Sequence, residues 1–259
     1  MGDDERKEPK YDFRRKVAIV TGGSSGIGRV VALAFSRHGA SVVVADIDSD
    51  GGEETVELIQ DAGGTAEFKR TDVSKENDVS NLVSFAVNRY GKLDFACNNA
   101  GIEGARAPIA ELPTDRWDQV VGVNLTGVYH CLKYELRQML AQGSGAIVNI
   151  ASVAAFIGSP AMAGYVATKH AVMGLTKTAA LEVASKGIRV NAVAPGLVNA
   201  GLTDAAPKEF IQEALAAQPI GRMAEAEEIA AAVLWLCSDG ASFVLGQTLA
   251  VDGGFTIAP

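Results

Sequence analysis

Tyr165 and Lys169 stand four residues apart, a spacing that puts both on one face of a helix. An ammonium beside a phenol favours the phenolate. A tyrosine with a lowered pKa can take a proton from an alcohol oxygen or return one to it. Such a pair is also common on solvated helix faces, so its weight comes from its company. Ser152 follows an apolar run at 146–150. A hydroxyl at the C-terminal end of a strand can hold a substrate oxygen, although a helix or turn cap is its ordinary use. Asn124 falls inside a long helical pattern, where asparagine is a mediocre helix former. It would organise a kink or a water there, or bond back to its own helix.

A second constellation lies near the start of the chain. The run Thr21-Gly22-Gly23-Ser24-Ser25-Gly26-Ile27-Gly28 follows a strand pattern and opens a helix pattern. Glycines let the backbone turn tightly and approach a pyrophosphate, and the N-terminus of a helix attracts its charge. A glycine cluster alone is compatible with a plain turn; the strand–glycine–helix context points to a nucleotide. The next strand ends at Asp46, where a carboxylate would bond the adenosine ribose and repel a 2′-phosphate. No Arg or Lys closely follows Asp46, so NAD is expected over NADP. Asp72 and Val73 follow the third strand and would border the adenine, or form the turn into the next helix.

These residues need a scaffold, and the sequence supplies one. Apolar runs at 17–20, 41–45, 66–69, 93–97, 146–150, 189–193 and 248–251 read as strands. Helical patterns at 27–37, 53–62, 75–89, 115–142, 163–184 and 225–237 separate them, with Thr114 or Asp115 as the cap of the fourth. The strands are continuous rather than alternating, as in a parallel sheet covered on both faces. The expected fold is therefore α/β: a doubly wound Rossmann-type fold of about seven parallel strands with helices on both faces. One catalytic domain over 16–259 is expected, after a flexible leader at 1–15. Residues 197–219 are rich in Gly, Pro, Ala and Asn and read as a substrate lid with a short helix at 208–217.

Composition sets outer bounds. Of 259 residues 48% are apolar and the net charge is −8. That builds a core and gives no basic footprint for nucleic acid. No apolar run approaches the length of a membrane span. Cys97, Cys131 and Cys237 lack metal-ligand spacing and read as small core residues, which suits a cytoplasmic protein. His130 and His170 have no partners at useful spacing, so no metal is expected.

Taken together, the motifs resemble those of the short-chain dehydrogenases/reductases across nearly the whole chain, from Lys16 to Thr256. They are Thr21-Gly22-x-x-x-Gly26-Ile27-Gly28, Asn98-Asn99-Ala100-Gly101, Asn124, Ser152, Tyr165-x-x-x-Lys169 and Pro195-Gly196. The resemblance implies that Tyr165 is the general acid/base and that Ser152 positions the reacting oxygen. It implies that Lys169 lowers the tyrosine pKa and binds the nicotinamide ribose, while Asn124 holds a relay water. Asn98 would support the central strand. Ser24, Ser25, Asn99, Ala100, Gly101, Pro195, Gly196 and Val198 would border the cofactor. A homotetramer is the usual assembly, built on the two long helices, with residues 255–259 as a further contact. One position departs from the pattern: Ala200 stands where many members carry a threonine that binds the carboxamide, and Thr203 is the nearest substitute.

Segments 102–108, 153–162 and 197–219 should surround the reacting carbon. They are mostly apolar, with Glu103 and Arg106 read as solvated loop charges. A small uncharged alcohol or ketone is the expected substrate. Trp117, Trp235, Tyr129 and Tyr134 read as core or interface. The alternatives are a 3-oxoacyl-thioester reductase of the same fold, against which Asp46 argues, and a dinucleotide-binding sensor without turnover, which would not need the Ser–Tyr–Lys set. A lyase or epimerase would need more charge in the pocket.

Overall fold

The computed structural model describes residues 11–200 and 208–258. Seven strands form one sheet: β1 (Val17–Thr21), β2 (Ser41–Asp46), β3 (Thr65–Arg70), β4 (Phe95–Asn98), β5 (Gly145–Ile150), β6 (Ile188–Pro195) and β7 (Thr248–Val251). The order is β3-β2-β1-β4-β5-β6-β7 and every pairing is parallel. The chain runs outward from β1 to β3, then returns to the other side of β1. The strand order thus reverses between β1 and β4, where an open α/β sheet leaves a crevice at its C-terminal edge.

The central strands are buried along their whole length because both faces are covered. From β1, Ala18 and Val20 join a core shared with α1 (Gly26–Arg37) and α8 (Ala226–Cys237). Ile19 points the other way, toward α3 (Glu76–Tyr90), α5 (Gly127–Gln142) and α6 (Ala163–Val183). One residue of register thus separates two cores, which is why the strands lack a polar face. All three cysteines are buried and unpaired. Burial pushes the Cys237 thiol up to about 12. No described helix is long and apolar enough to cross a membrane.

Three expectations change. First, α2 (Ser49–Asp61) begins four residues before the expected 53, because the Asp48 side chain accepts the Gly51 N–H at 3.4 Å and caps it. The Gly51-Gly52 pair masked that start. Gly52 is a packing requirement: a Cβ there would come within 2.1 Å of the Phe68 ring.

Second, the single helix expected at 115–142 is three pieces. They are α4 (Thr114–Val121), a wide π turn (Gly122–Thr126) and α5. Pro113 occupies the cap position of α4, and neither Thr114 nor Asp115 caps it. Asn124 sits inside the π turn. Third, residues 1–10 of the expected leader lie outside the described residues, but Phe13 is only 4% exposed. Its ring centroid lies 4.8 Å from that of Phe95, so the ordered fold starts before residue 16. Of the residues expected in the core or an interface, Trp117, Tyr129 and Trp235 are at least a third exposed, which leaves the interface alternative for them.

Candidate active site

The strand–turn–helix at Thr21 to Gly28 is held from behind. Asn99 donates from Nδ2 to the carbonyls of Thr21 and Gly22, both at 3.0 Å. The Thr21 hydroxyl accepts from the N–H groups of Asn99 (3.1 Å) and Ala100 (3.2 Å). Gly22 has φ +66° and Gly26 φ +53°, conformations that glycine reaches without a Cβ clash. A Cβ on Gly28 would lie 2.0 Å from the Gly22 carbonyl oxygen, so α1 packs against the loop as only glycine allows. Ser25 takes the cap position of α1 without a side-chain bond, leaving backbone N–H groups to face an anion.

The Asp46 carboxylate closes the far end. One oxygen accepts from Ser24 N–H at 3.0 Å and the other from Asp48 N–H at 3.1 Å. Arg29 was not anticipated; its guanidinium binds the carbonyl of Ser24, the Gly51 carbonyl at 3.2 Å, the Thr55 hydroxyl at 3.0 Å and Glu54 at 2.5 Å. A cation does therefore stand near the Asp46 end, contributed by α1 rather than by the segment after β2, and Glu54 neutralises it. Thr55 adds a bond to the Gly23 carbonyl at 3.0 Å. Polar pairs of this kind leave no periodic trace in a sequence.

Asp72 is spent locally: its Oδ1 accepts from the backbone N–H of Ser74 at 3.0 Å and from its hydroxyl at 2.6 Å. The Val73 carbonyl pairs with His130 Nδ1 at 3.0 Å, which gives that buried histidine a structural use. Both residues still line the cleft, together with Thr71 and Ile47, which sequence reasoning did not single out. The cleft measures about 630 Å³, within the range of cofactor and small-molecule sites. It runs from Asp46, past Gly22, Ser24, Ser25, Gly26 and Ile27, to Ser152, Tyr165, Lys169, Pro195, Gly196 and Val198. Asn99, Ala100 and Gly101 form part of its wall. Gly28 lies behind the loop.

At the other end, Lys169 is buried and donates from Nζ to the Ile150 carbonyl at 2.8 Å. Its Nζ stands 5.5 Å from the Tyr165 ring centroid. Ser152 accepts from Ala154 N–H at 3.2 Å and hydrogen-bonds the Tyr165 phenol, favouring the phenolate. Asn124 is buried; its Oδ1 accepts from Ile102 N–H and its Nδ2 donates to Ile102 C=O, both at 2.8 Å. A Cβ built on Gly101 would meet Asn124 Oδ1 at 3.3 Å and Lys169 Nζ at 3.7 Å. Four residues spread over 46 positions thus converge at the C-terminal ends of β4 and β5.

Two expectations about this end are corrected. The Tyr165 phenol is pushed up from its ordinary value by burial, with the Glu103 carboxylate adding to the rise. Lys169 does not reverse this rise, and burial lowers its own pKa to about 8. Glu103 and Arg106 are not separate solvated charges: they pair with each other, with side chains 23% and 29% exposed. The side chain of Asn124 has both polar atoms engaged on Ile102.

Residues 197–199 are tied to residues 218–224. Leu197 N–H donates to Gln218 Oε1 at 3.2 Å, Asn199 N–H to the Ala224 carbonyl at 2.8 Å, and Ala224 N–H to the Leu197 carbonyl at 2.9 Å. Gln218 was not anticipated. Its Oε1 would lie 2.8 Å from a Cβ on Gly196. The short helix α7 (Lys208–Ala216) forms as expected. Thr203 lies outside the described residues. Ala200 reaches the cleft wall. Among the described residues no group of three or more His, Cys, Asp or Glu side chains could hold a metal.

Comparison with known proteins follows the same lines. A family profile described as enoyl-(acyl carrier protein) reductase matches residues 22–256. A cis-4-hydroxycyclohexanecarboxylate dehydrogenase of Sinomonas cyclohexanicum is 44% identical over 94% of this chain and 98% of its own. A 3-oxoacyl-[acyl-carrier-protein] reductase of Thermotoga maritima is 37% identical over 93% and 98%. Among solved structures, a levodione reductase superposes with TM-score 0.92 at 36% identity, covering 95% of this chain and all of that one. Solved neighbours differ in what they hold: NAD+ in a xylitol dehydrogenase at TM-score 0.90 and 35% identity, and NADP at low occupancy in a protein of Beutenbergia cavernae described as an NAD(P)-dependent gluconate 5-dehydrogenase, at 0.91 and 40%.

Proposed function

The chain belongs to the short-chain dehydrogenase/reductase family of oxidoreductases, and we propose that it moves a hydride between NAD(H) and a secondary alcohol or its ketone. One observation carries the reading. A single cleft has Tyr165, Ser152 and Lys169 at one end and the Asp46 carboxylate at the other, with the glycine-built cradle between them. The cradle fits a dinucleotide, since Gly22 and Gly26 turn the loop at positive φ and Gly28, behind it, lets α1 close against Gly22. Bound there, the nicotinamide would supply the hydride donor or acceptor.

The chain's own residues do the rest. Ser152 holds the substrate oxygen beside the Tyr165 phenol. In reduction the phenol gives its proton to the oxygen; in oxidation it takes the hydroxyl proton. A phenol raised by burial rests protonated at neutral pH, so the free site is poised as a proton donor. Lys169 would hold the nicotinamide ribose and pass protons to a water on the π turn at Asn124. Asp46 would bond the adenosine ribose and disfavour a 2′-phosphate, which selects NAD.

The substrate side is walled mainly by apolar residues, among them Ile102 and Val123. A small cyclic alcohol or ketone suits it, in keeping with the relative named for a hydroxycyclohexane carboxylate. Trp117, Tyr129, Leu140 and Leu181 leave apolar surface on α4, α5 and α6, which we assign to a homotetramer in the cytoplasm. The whole of 16–259 acts as one catalytic unit, with residues 197–219 as its lid. The test is nicotinamide absorbance with NAD and NADP against a panel of cyclic and linear secondary alcohols. Turnover of cyclic alcohols with NAD is expected. Turnover of 3-oxoacyl thioesters with NADPH alone would replace this reading with the reductase alternative.

A further inference from the structure

The chain leaves β6 at Pro195 and loses its sheet partners within two residues. Gly196 N–H still donates to the Val251 carbonyl on β7 at 3.0 Å. Leu197 N–H has no strand to meet and turns to a side chain, Gln218 Oε1, at 3.2 Å. Gln218 Nε2 donates in the other direction, to the Arg222 carbonyl. One amide thus joins residue 197 to residue 222, and Gln218 is only 3% exposed. Just beyond, the Leu197 carbonyl accepts from Ala224 N–H and the Ala224 carbonyl accepts from Asn199 N–H, so Val198 lies in an isolated parallel bridge with Ala224.

The amide has little room to move. A Cβ on Gly196 would stand 2.8 Å from Gln218 Oε1, and a Cβ on Gly253 would stand 3.0 Å from Gln218 Cγ and 3.2 Å from Nε2. Gln218 therefore fills a slot between the end of β6 and the turn after β7, and glycine on both walls admits it. That turn is fixed in its own right. The Asp252 carboxylate accepts from Gly254 N–H at 3.0 Å, Thr256 N–H at 2.9 Å and the Thr256 hydroxyl at 2.6 Å. Ile220 N–H donates to the Gly253 carbonyl at 3.1 Å. The slot also selects the side chain. It asks for an acceptor toward Leu197 N–H and a donor toward the Arg222 carbonyl, and a neutral amide supplies both. An aliphatic chain would leave both groups unpaired, and a carboxylate would set acceptor against acceptor at Arg222.

What the amide holds in place is a wall of the cleft. Pro195, Gly196 and Val198 line it at the end of Tyr165 and Lys169, and Gln218 lies behind them, outside the lining. We infer that Gln218 is a positioning residue whose amide sets where the backbone of residues 196–198 stands against the nicotinamide ring, and so the pose of that ring toward Tyr165. The inference rests on the dinucleotide reading of the cleft. Because Gln218 acts only through this wall, its effect falls on the ring end. The cradle at Gly22 to Gly28 is pinned by other residues, Thr21, Asn99 and Arg29.

The experiment compares NAD with ADP-ribose, the same ligand without its nicotinamide ring, in calorimetric titrations of the full chain and its Gln218→Leu and Gln218→Glu variants. The NAD Kd should rise about three- to tenfold, the loss of a buried hydrogen bond expressed as affinity. The ADP-ribose Kd should stay within about twofold of wild type. With NAD and cyclohexanol as probes, kcat should fall about 10- to 100-fold, because a misplaced ring reacts slowly. Gln218→Glu keeps the outline and the acceptor for Leu197 N–H, so it carries the test if the aliphatic variant does not fold. ADP-ribose binding lost in step with NAD binding in both variants makes Gln218 a residue of the fold alone and overturns the inference. An NAD Kd and a kcat that stay at their wild-type values overturn it as well. Failure of the dehydrogenase reading looks different. A wild type that binds neither ligand removes the dinucleotide site and the inference with it, whereas a wild type that binds NAD but turns over no alcohol leaves the two titrations to decide on Gln218 alone.

Discussion

The two ends of the cleft are built on opposite plans. The cradle at Gly22 to Gly28 and Asp46 is made of backbone: positive φ, missing Cβ atoms, and N–H and C=O groups pinned by Thr21, Asn99, Thr55 and Arg29. The other end is made of buried titratable side chains. Burial raises Tyr165, lowers Lys169 to about 8 and raises Glu135 to about 7. The contrast teaches that binding here is a matter of shape, whereas proton transfer depends on groups kept where their charge is costly. Substitutions that respect one plan and violate the other should therefore separate binding from turnover.

The largest expected effect is that of Tyr165→Phe. It deletes the proposed proton donor and leaves the ring, so kcat should fall by about 10²–10⁴-fold, while the cofactor Kd from fluorescence titration stays within about twofold of wild type. A loss confined to KM would mean that Tyr165 only binds. The mirror-image change is Gly28→Ala. Its Cβ would meet the Gly22 carbonyl oxygen at 2.0 Å, and backbone must move to admit it. A destabilisation of about 1–3 kcal/mol is expected, read as a lower Tm, with a cofactor Kd raised at least severalfold. The protein that still binds cofactor should turn over at close to the wild-type kcat.

This contrast also explains what the sequence could disclose. Shape requirements are written as residue types at fixed offsets: Gly22, Gly26 and Gly28 after a strand, or Tyr165 and Lys169 one helical turn apart. The seven strands were legible because burial on both faces makes them continuous apolar runs. Burial of a polar group has no such signature. Glu135 looks like any surface glutamate on a helix, and the sign of the Tyr165 shift depends on surroundings contributed by distant segments. Arg29, Thr55 and Gln218 act through contacts 21 to 32 positions away. The π turn was foreshadowed only by an asparagine in mid-helix, and the early start of α2 was hidden behind two glycines.

Lys169 gives the third test, one in which stability and function part. Its folded pKa of about 8 lies below the ordinary 10.5. Between those values the unfolded chain binds more protons than the native one, so stability rises with pH through that window; below about pH 8 the full cost of a buried ammonium is present. Lys169→Met removes that cost and also the bond to the Ile150 carbonyl. At neutral pH the variant should unfold about 1–2 kcal/mol later than wild type, an advantage that shrinks as pH rises toward the ordinary lysine value. It should nevertheless be almost inactive. Equal Tm curves across pH would show that Lys169 is better solvated than its burial indicates.

The smallest expected effect lies at the end of the cradle and asks whether charge matters where the plan is shape. Asp46 accepts from Ser24 and Asp48 N–H groups, one on each oxygen. Asp46→Asn keeps the outline and one acceptor but removes the charge, leaving Arg29 as the ionic group that touches this loop, already matched by Glu54. If Asp46 selects NAD by shape and hydrogen bonding alone, the ratio of kcat/KM for NAD over NADP should barely move. If its charge repels a 2′-phosphate, the ratio should fall about tenfold, or about 1.4 kcal/mol, mostly through better use of NADP. The second outcome is expected, because a carboxylate facing a phosphate is a like-charge contact that no rearrangement of Ser24 relieves. High salt should then narrow the wild-type preference and leave the variant's unchanged.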